Sequence, residues 1–178
     1  MRKLNVIEMN RITVDDFRRS RKIPLTVVLD DVRSMYNVGS VFRTADAFRI
    51  EHIYLCGITA CPPHQEIHKT ALGAEDSVEW TYVKDTAEAV DVLKRDGYTL
   101  MAVEQAEGSV MLQDFTVDAD RKYAIVLGNE VKGVLQDVVD MCDGCIEIPQ
   151  CGTKHSLNVS TAAGIVMWHF FDALKNNI

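Results

Sequence analysis

Three polar stretches of this chain concentrate the side chains that could do chemistry: NVGSVFRTA (Asn37–Ala45), LGNEVKGV (Leu127–Val134) and IPQCGTKHSLNVSTAAGI (Ile148–Ile165). Among them are Arg43, Glu130, the amides Asn37 and Asn158, and the hydroxyl of Ser156. Local structure accounts for part of this. Asn37 or Ser40 can cap the helix that carries Arg43, with Gly39 supplying a positive φ. Ser156, Asn158 and Ser160 compete to cap the last helix, and the charge of Glu130 is favourable near a helix N-terminus. Cap duty requires neither Arg43 nor Glu130, so taken together the stretches point to a ligand or a reaction.

Familiar chemistries are excluded by what is missing. LGNEVKG lacks the glycine spacing and the Lys-Ser/Thr pair of a phosphate-cradling loop, and no GxGxxG or GxSxG is present. Cys142, Cys145 and Cys151 followed by His155 mimic a zinc-ligand spacing. Cys145, however, falls in the strand-like CIEI and Asp143-Gly144 reads as a turn, so no metal site is expected.

The elements that would position these residues alternate. PLTVVLDDV, HIYLCG, WTYV, YTLMAVE, KYAIVLG and GCIEIP read as strands. RSMYNVGSVFRTADAF reads as a polar turn leading into a helix, and TAEAVDVLKRDG, GVLQDVVDMC and the C-terminal segment read as helices, the last with Val159, Ala162, Ala163, Val166, Phe170 and Leu174 on one face. ITACPPHQEIHKTALGAEDS is expected to be a long loop with one helical turn, and EGSVMLQDF a turn followed by irregular structure. The pattern implies an α/β fold with a mainly parallel sheet and its ligands beyond the carboxyl ends of the strands.

At 178 residues the chain suits one domain, 23–178, preceded by a basic arm over residues 1–22 that holds seven Lys/Arg against three acids. The net charge is −7, so the remainder is strongly acidic. The arm could touch phosphates or be a solvated helix face. No apolar run approaches the roughly 20 residues of a membrane span. With five cysteines and no signal-like N-terminus, a cytoplasmic protein without disulfides or membrane contact is expected.

From about Pro24 onward, NVGSVFRTADAF, LGNEVKGV and IPQCGTKHSLNVSTAAGI resemble, in order and separation, the three motifs of the SpoU/TrmH branch of the SPOUT methyltransferases. HKTALGAEDSVEW is also similar to the stretch after this branch's second strand. The resemblance implies S-adenosylmethionine-dependent methylation of a ribose 2′-hydroxyl in RNA (transfer or ribosomal) by a homodimer with a C-terminal trefoil knot. A knot breaks the usual topological rule, and composition does not reveal it. Threading would favour the small Gly152, Ser156, Ser160, Ala162, Ala163 and Gly164.

By the same resemblance, Asn37, Arg43, Glu130, Ser156 and Asn158 fall on the catalytic positions. Main-chain groups at Gly128, Ile148 and Leu157 hold the cofactor, with Glu104 as a further candidate. Because a guanidinium keeps its charge, Arg43 is expected to stabilise the forming alkoxide or clamp a phosphate, oriented by Glu130 or acting in the partner subunit's site. The alternatives are a catalytically silent RNA- or cofactor-binding module and a SPOUT enzyme that methylates a base nitrogen. Retention of all five polar positions argues against the first, and the NxGSxxR and SLNxS signatures against the second. With only a short arm beside an acidic body, substrate choice is expected to lie in the arm, the dimer groove or an assisting protein.

Overall fold

The computed structural model describes residues 1–5 and 7–178. Its strands are β1 (Ile23–Asp30), β2 (Ile50–Cys56), β3 (Trp80–Val83), β4 (Tyr98–Val103), β5 (Val110–Met111), β6 (Lys122–Leu127) and β7 (Gly144–Glu147). They form one sheet in the order β3-β2-β1-β6-β4-β7-β5, and every neighbouring pair is parallel. The helices are α1 (Val14–Arg19), α2 (Met35–Ala47), α3 (Gln65–Ala71), α4 (Ala74–Ser77), α5 (Thr86–Arg95), α6 (Gln136–Met141) and α7 (Val159–Leu174).

Side chains that alternate along each strand build two cores, one per face. Val27, Leu29, Ile125 and Leu127 pack with Val38, Val41 and Phe42 of α2 and with Ala163, Val166 and Phe170 of α7. Val28, Leu100, Ala124 and Val126 pack with Ala89, Val90 and Leu93 of α5 and Val138 of α6. The apolar stripe read from the sequence on α7 is buried as expected, except that Met167 joins it and Ala162 is only half-buried.

The segment after β2 departs from the expected loop. It folds into α3 and α4, whose Ile67, Ala71 and Ala74 join the first core. Helices this short carry little hydrophobic periodicity, so tertiary burial decides them. Their arrival also explains Gly39, which lies inside α2 rather than at a positive φ. A Cβ there would sit 2.2 Å from Thr70 Oγ1 and 2.3 Å from the Ile67 carbonyl, so the glycine lets α3 lie directly on α2. EGSVMLQDF likewise contributes the two-residue strand β5.

The end of the chain carries the unusual topology. β7 lies between β4 and β5, yet α7 packs on α2 and β1, on the far side of β4 and β6. Residues 148–158 therefore cross the carboxyl ends of β4 and β6, and this crossing belongs to the C-terminal trefoil knot of the fold. Tight threading is not what makes Gly152 and Gly164 small. A Cβ on Gly152 would meet nothing within 4 Å, and one on Gly164 would come no nearer than 4.0 Å to Thr44.

At the other end, the basic arm is partly docked. Phe17 of α1 is buried and Arg18 donates to the Asp76 carbonyl of α4 (3.1 Å), while residues 1–5 and 7–12 are exposed. Among the described residues no helix is long and apolar enough to cross a membrane.

Gly39→Ala is expected to destabilise the fold by about 1–3 kcal/mol, because the new methyl group overpacks the α2–α3 contact. Urea unfolding checks this, and an unchanged midpoint would contradict the contact.

Candidate active site

Helix α2 begins at Ser34, whose hydroxyl accepts from the Asn37 N–H (3.3 Å). Ser34, and not Asn37 or Ser40, is thus the N-cap; Asn37 already lies in the first turn. A helix start leaves several N–H groups without intrahelical partners. Two neighbouring ones find a distant carboxylate: Glu130 accepts from the Arg33 N–H (2.9 Å) and the Ser34 N–H (3.0 Å). The Asn37 side-chain amide completes the cradle with an N–H to Glu130 Oε1 (3.0 Å).

Asn37 passes the connection on. Its Oδ1 accepts from Asn158 Nδ2 (3.1 Å), and Asn158 Oδ1 caps α7 by accepting from the N–H groups of Ser160 (3.0 Å) and Thr161 (3.3 Å). Asn158 therefore wins the competition for the cap, and Ser160 donates its hydroxyl to the same Oδ1 (2.7 Å). One chain of hydrogen bonds, Glu130–Asn37–Asn158, ties the three polar stretches together.

This corrects the expected Glu130–Arg43 pair. Arg43 lies further along α2, is exposed, and makes no hydrogen bond or ion pair among the described residues. Glu130 is claimed by donors at the helix start. Desolvation is the largest single influence on its carboxyl and would raise the pKa. The N–H groups of Arg33, Glu130 itself and Ser34, with the Asn37 amide, together outweigh it and hold the carboxyl below its usual 4.5.

The loop that carries Glu130 is a tight backbone hairpin. Asn129 and Gly133 exchange N–H···O bonds of 3.0 and 2.9 Å. The Asn129 side chain donates to the Asp31 carbonyl (2.8 Å) and accepts from the Val131 N–H (2.9 Å). Gly128 is obligatory here, since its Cβ would lie 2.0 Å from the Gly133 carbonyl carbon. Gly133 has φ +69° and packs on the Glu104 carboxylate, which accepts from the Val134 N–H (3.1 Å). From sequence, Gly128 and Asn129 read as the turn after a strand, and the structure gives Asn129 that turn and the added bond to Asp31.

Beside this hairpin lies a cleft of about 1090 Å³. It opens at the carboxyl ends of the adjacent strands β6, β4 and β7, where open α/β sheets place their ligands. Glu104, Gly128, Ile148 and Leu157 all line it, as do Glu130, Ser156 and Asn158. Asn37 supports the wall from behind through Glu130 and Asn158, and Arg43 lies outside.

Burial pushes the Cys142 thiol up to about 11 and raises Cys145 as well. Among the described residues no group of three or more His, Cys, Asp or Glu is placed to hold a metal ion.

A knotted α/β domain with this cleft defines a class, and comparison with known proteins supplies the family. Residues 24–168 match the model of the SpoU rRNA Methylase family. A Staphylococcus haemolyticus protein assigned to the TrmH family of tRNA/rRNA methyltransferases is 33% identical over 161 residues, covering 88% of this chain and 64% of its own. The chain thus spans a little under two thirds of that relative's length. The A. aeolicus TrmH/SpoU tRNA modifying enzyme superposes with a TM-score of 0.80 at 25% identity, over 97% of this chain and 86% of that one. An AdoMet-bound rRNA methyltransferase from Sinorhizobium meliloti superposes with a TM-score of 0.79 at 27% identity, over 89% and 60%. The chain belongs to the SpoU rRNA methylase family, within the SpoU/TrmH branch that its three motifs resemble.

A carboxyl whose pKa is depressed in the fold contributes stability above its unfolded pKa, and this is lost as pH falls through the folded value. Glu130→Gln should therefore melt below wild type at pH 7. The gap should close as pH drops from about 4.5 downward. Circular-dichroism melts across that range check it, and a gap independent of pH would remove Glu130 from the cradle.

Proposed function

We propose that this protein transfers a methyl group from S-adenosylmethionine to a ribose 2′-hydroxyl of transfer or ribosomal RNA, and that it does so as a homodimer. The observation that carries the reading is the single cleft into which Glu104, Gly128, Ile148 and Leu157 converge, with Glu130, Ser156 and Asn158 on its wall. The cleft suits the cofactor chemically. It is large enough for a nucleoside-sized ligand. Val103, Ile148 and Leu157 offer apolar surface to a purine, and the carboxylates of Glu104 and Glu107 offer negative charge to a sulfonium and an amine. The relative from Sinorhizobium meliloti is described as AdoMet-bound, which supports the same reading.

When bound, the cofactor supplies a methyl carbon already activated by its sulfonium. What remains for the chain is to align the 2′-oxygen and to stabilise it as its proton leaves. A guanidinium cannot serve as the base. Arg43 instead stabilises the forming alkoxide or holds the neighbouring phosphate, and water takes the proton. Glu130 and Asn37 set the start of α2, and so the direction in which that helix presents Arg43.

Because Arg43 lies outside its own chain's cleft, it acts in the partner's. The outer face of α7 beside α2 supports this: Ile165 and Trp168 are exposed, and Trp168 packs against Phe48 at the end of α2 with ring centroids 5.6 Å apart. A second copy covering this apolar face would carry Arg43 toward the neighbouring cleft.

Incubation with methyl-tritiated S-adenosylmethionine and separate pools of unmodified transfer and ribosomal RNA, followed by alkaline hydrolysis, tests the reaction. A 2′-O-methyl group blocks cleavage at its own phosphodiester, so label is expected in alkali-resistant dinucleotides. Label confined to mononucleotides would mean base methylation, and cofactor binding without any transfer would mean a silent module.

Mixing tests the shared site. Arg43→Ala and Asn158→Ala chains should each be inactive alone, and partial activity should return when they are unfolded together and refolded as mixed dimers. No recovery would keep Arg43 in its own subunit.

A further inference from the structure

The cleft has one wall that is barely attached. Residues 149–157 are all exposed, and they contribute Gln150, His155, Ser156 and Leu157 to the lining. Among the described residues, this segment makes one hydrogen bond to the rest of the chain. It runs from the Gln105 side-chain amide to the His155 carbonyl, at 2.6 Å.

Gln105 follows Glu104 at the end of β4, and the two reach in opposite directions. Glu104 is fastened to the hairpin on one side of the cleft through the Val134 N–H and also accepts from the Gln105 N–H (2.9 Å). Gln105 is fastened to the knot segment on the other side. The dipeptide at the end of β4 thus spans the cleft floor and holds both walls. The two fastenings are unequal. The hairpin has further bonds through Asn129, whereas among the described residues the knot segment has only Gln105.

We propose that Gln105 is a positioning residue, a latch that holds residues 149–157 in the conformation that binds the cofactor. This rests on the methyltransferase reading and names a residue that the family motifs do not include. Its physical basis is the population of the competent wall. A nine-residue segment freed from its one tether samples many conformations, and apparent affinity falls by the fraction of time it spends away from the cleft. Losing one net hydrogen bond of ordinary strength corresponds to about a fivefold loss of affinity.

Three chains test the latch: wild type, Gln105→Met (similar shape, no donor) and Gln105→Lys (a donor restored). Two readouts apply, calorimetric titration with S-adenosylmethionine and limited trypsin cleavage at Lys154, the one Lys or Arg between Ile148 and Asn158. The expected result is that Gln105→Met binds about fivefold more weakly than wild type and is cut faster at the Lys154–His155 bond, with an unchanged melting temperature. Gln105→Lys should recover most of the affinity.

Equal affinity and equal cleavage of wild type and Gln105→Met would overturn the proposal. So would a loss of affinity that the lysine fails to rescue and that accompanies a lowered melting temperature, since that is a merely structural role. If wild type binds no cofactor, the methyltransferase reading fails. The cleavage rates then still decide whether Gln105 holds the segment.

Discussion

A carboxylate seated in the open start of a helix organises this molecule. Glu130 lies in the hairpin after β6, and the N–H groups it satisfies belong to residues nearly a hundred positions earlier. Both partners need the contact. The start of α2 has orphan donors, and a carboxylate at the cleft rim is better held by fixed N–H dipoles than left to compete with water. Through Asn37 the same contact reaches Asn158, the cap of α7, 121 residues further along the chain from Asn37. Three loops that are remote in sequence are thereby held as one wall.

The network also divides the labour of the site. Backbone groups of the hairpin and the knot segment surround a volume suited to a small ligand, and the charged residue best suited to a polyanionic substrate is outside it. In the proposed reaction, cofactor recognition would thus be internal to the chain, while Arg43 is exposed on α2. In the proposed dimer that outward position is what makes the site complete, and the apolar face of α7 supplies a reason for two chains to meet. In the proposed reaction, the acidic balance of the chain would keep its grip on RNA local.

Much of this was legible in the sequence because it rests on period or on motif. Strands with β-branched runs and the α7 stripe read correctly, and the motif positions Glu104, Gly128, Ile148 and Leu157 line one cleft. What did not read was decided by contacts between distant residues. The sequence of α3 is too short to show a helical period, and Gly39 looks like a turn glycine until α3 is seen lying on it. Charge alone suggests a pairing of Glu130 with Arg43. Geometry overrules it, because the start of α2 presents several donors to Glu130 at once and Arg43 lies on a later turn. The small residues of the last stretch suggested threading through a knot, yet Gly152 faces open space. Its polar neighbours are there for the cap, for the Asn37 contact and for the cleft.

The most direct test of this account is a double-mutant cycle between Glu130 and Asn158, which among the described residues share no hydrogen bond and are linked through Asn37. Unfolding free energies of Glu130→Gln, Asn158→Ala and the double variant would be measured in urea. A coupling energy of about 0.5–1 kcal/mol is predicted, and its disappearance when Asn37 is replaced by alanine in every member of the cycle. Additive effects with Asn37 in place would mean that the three loops are held independently, and the hydrogen-bonded wall would not be the organising element.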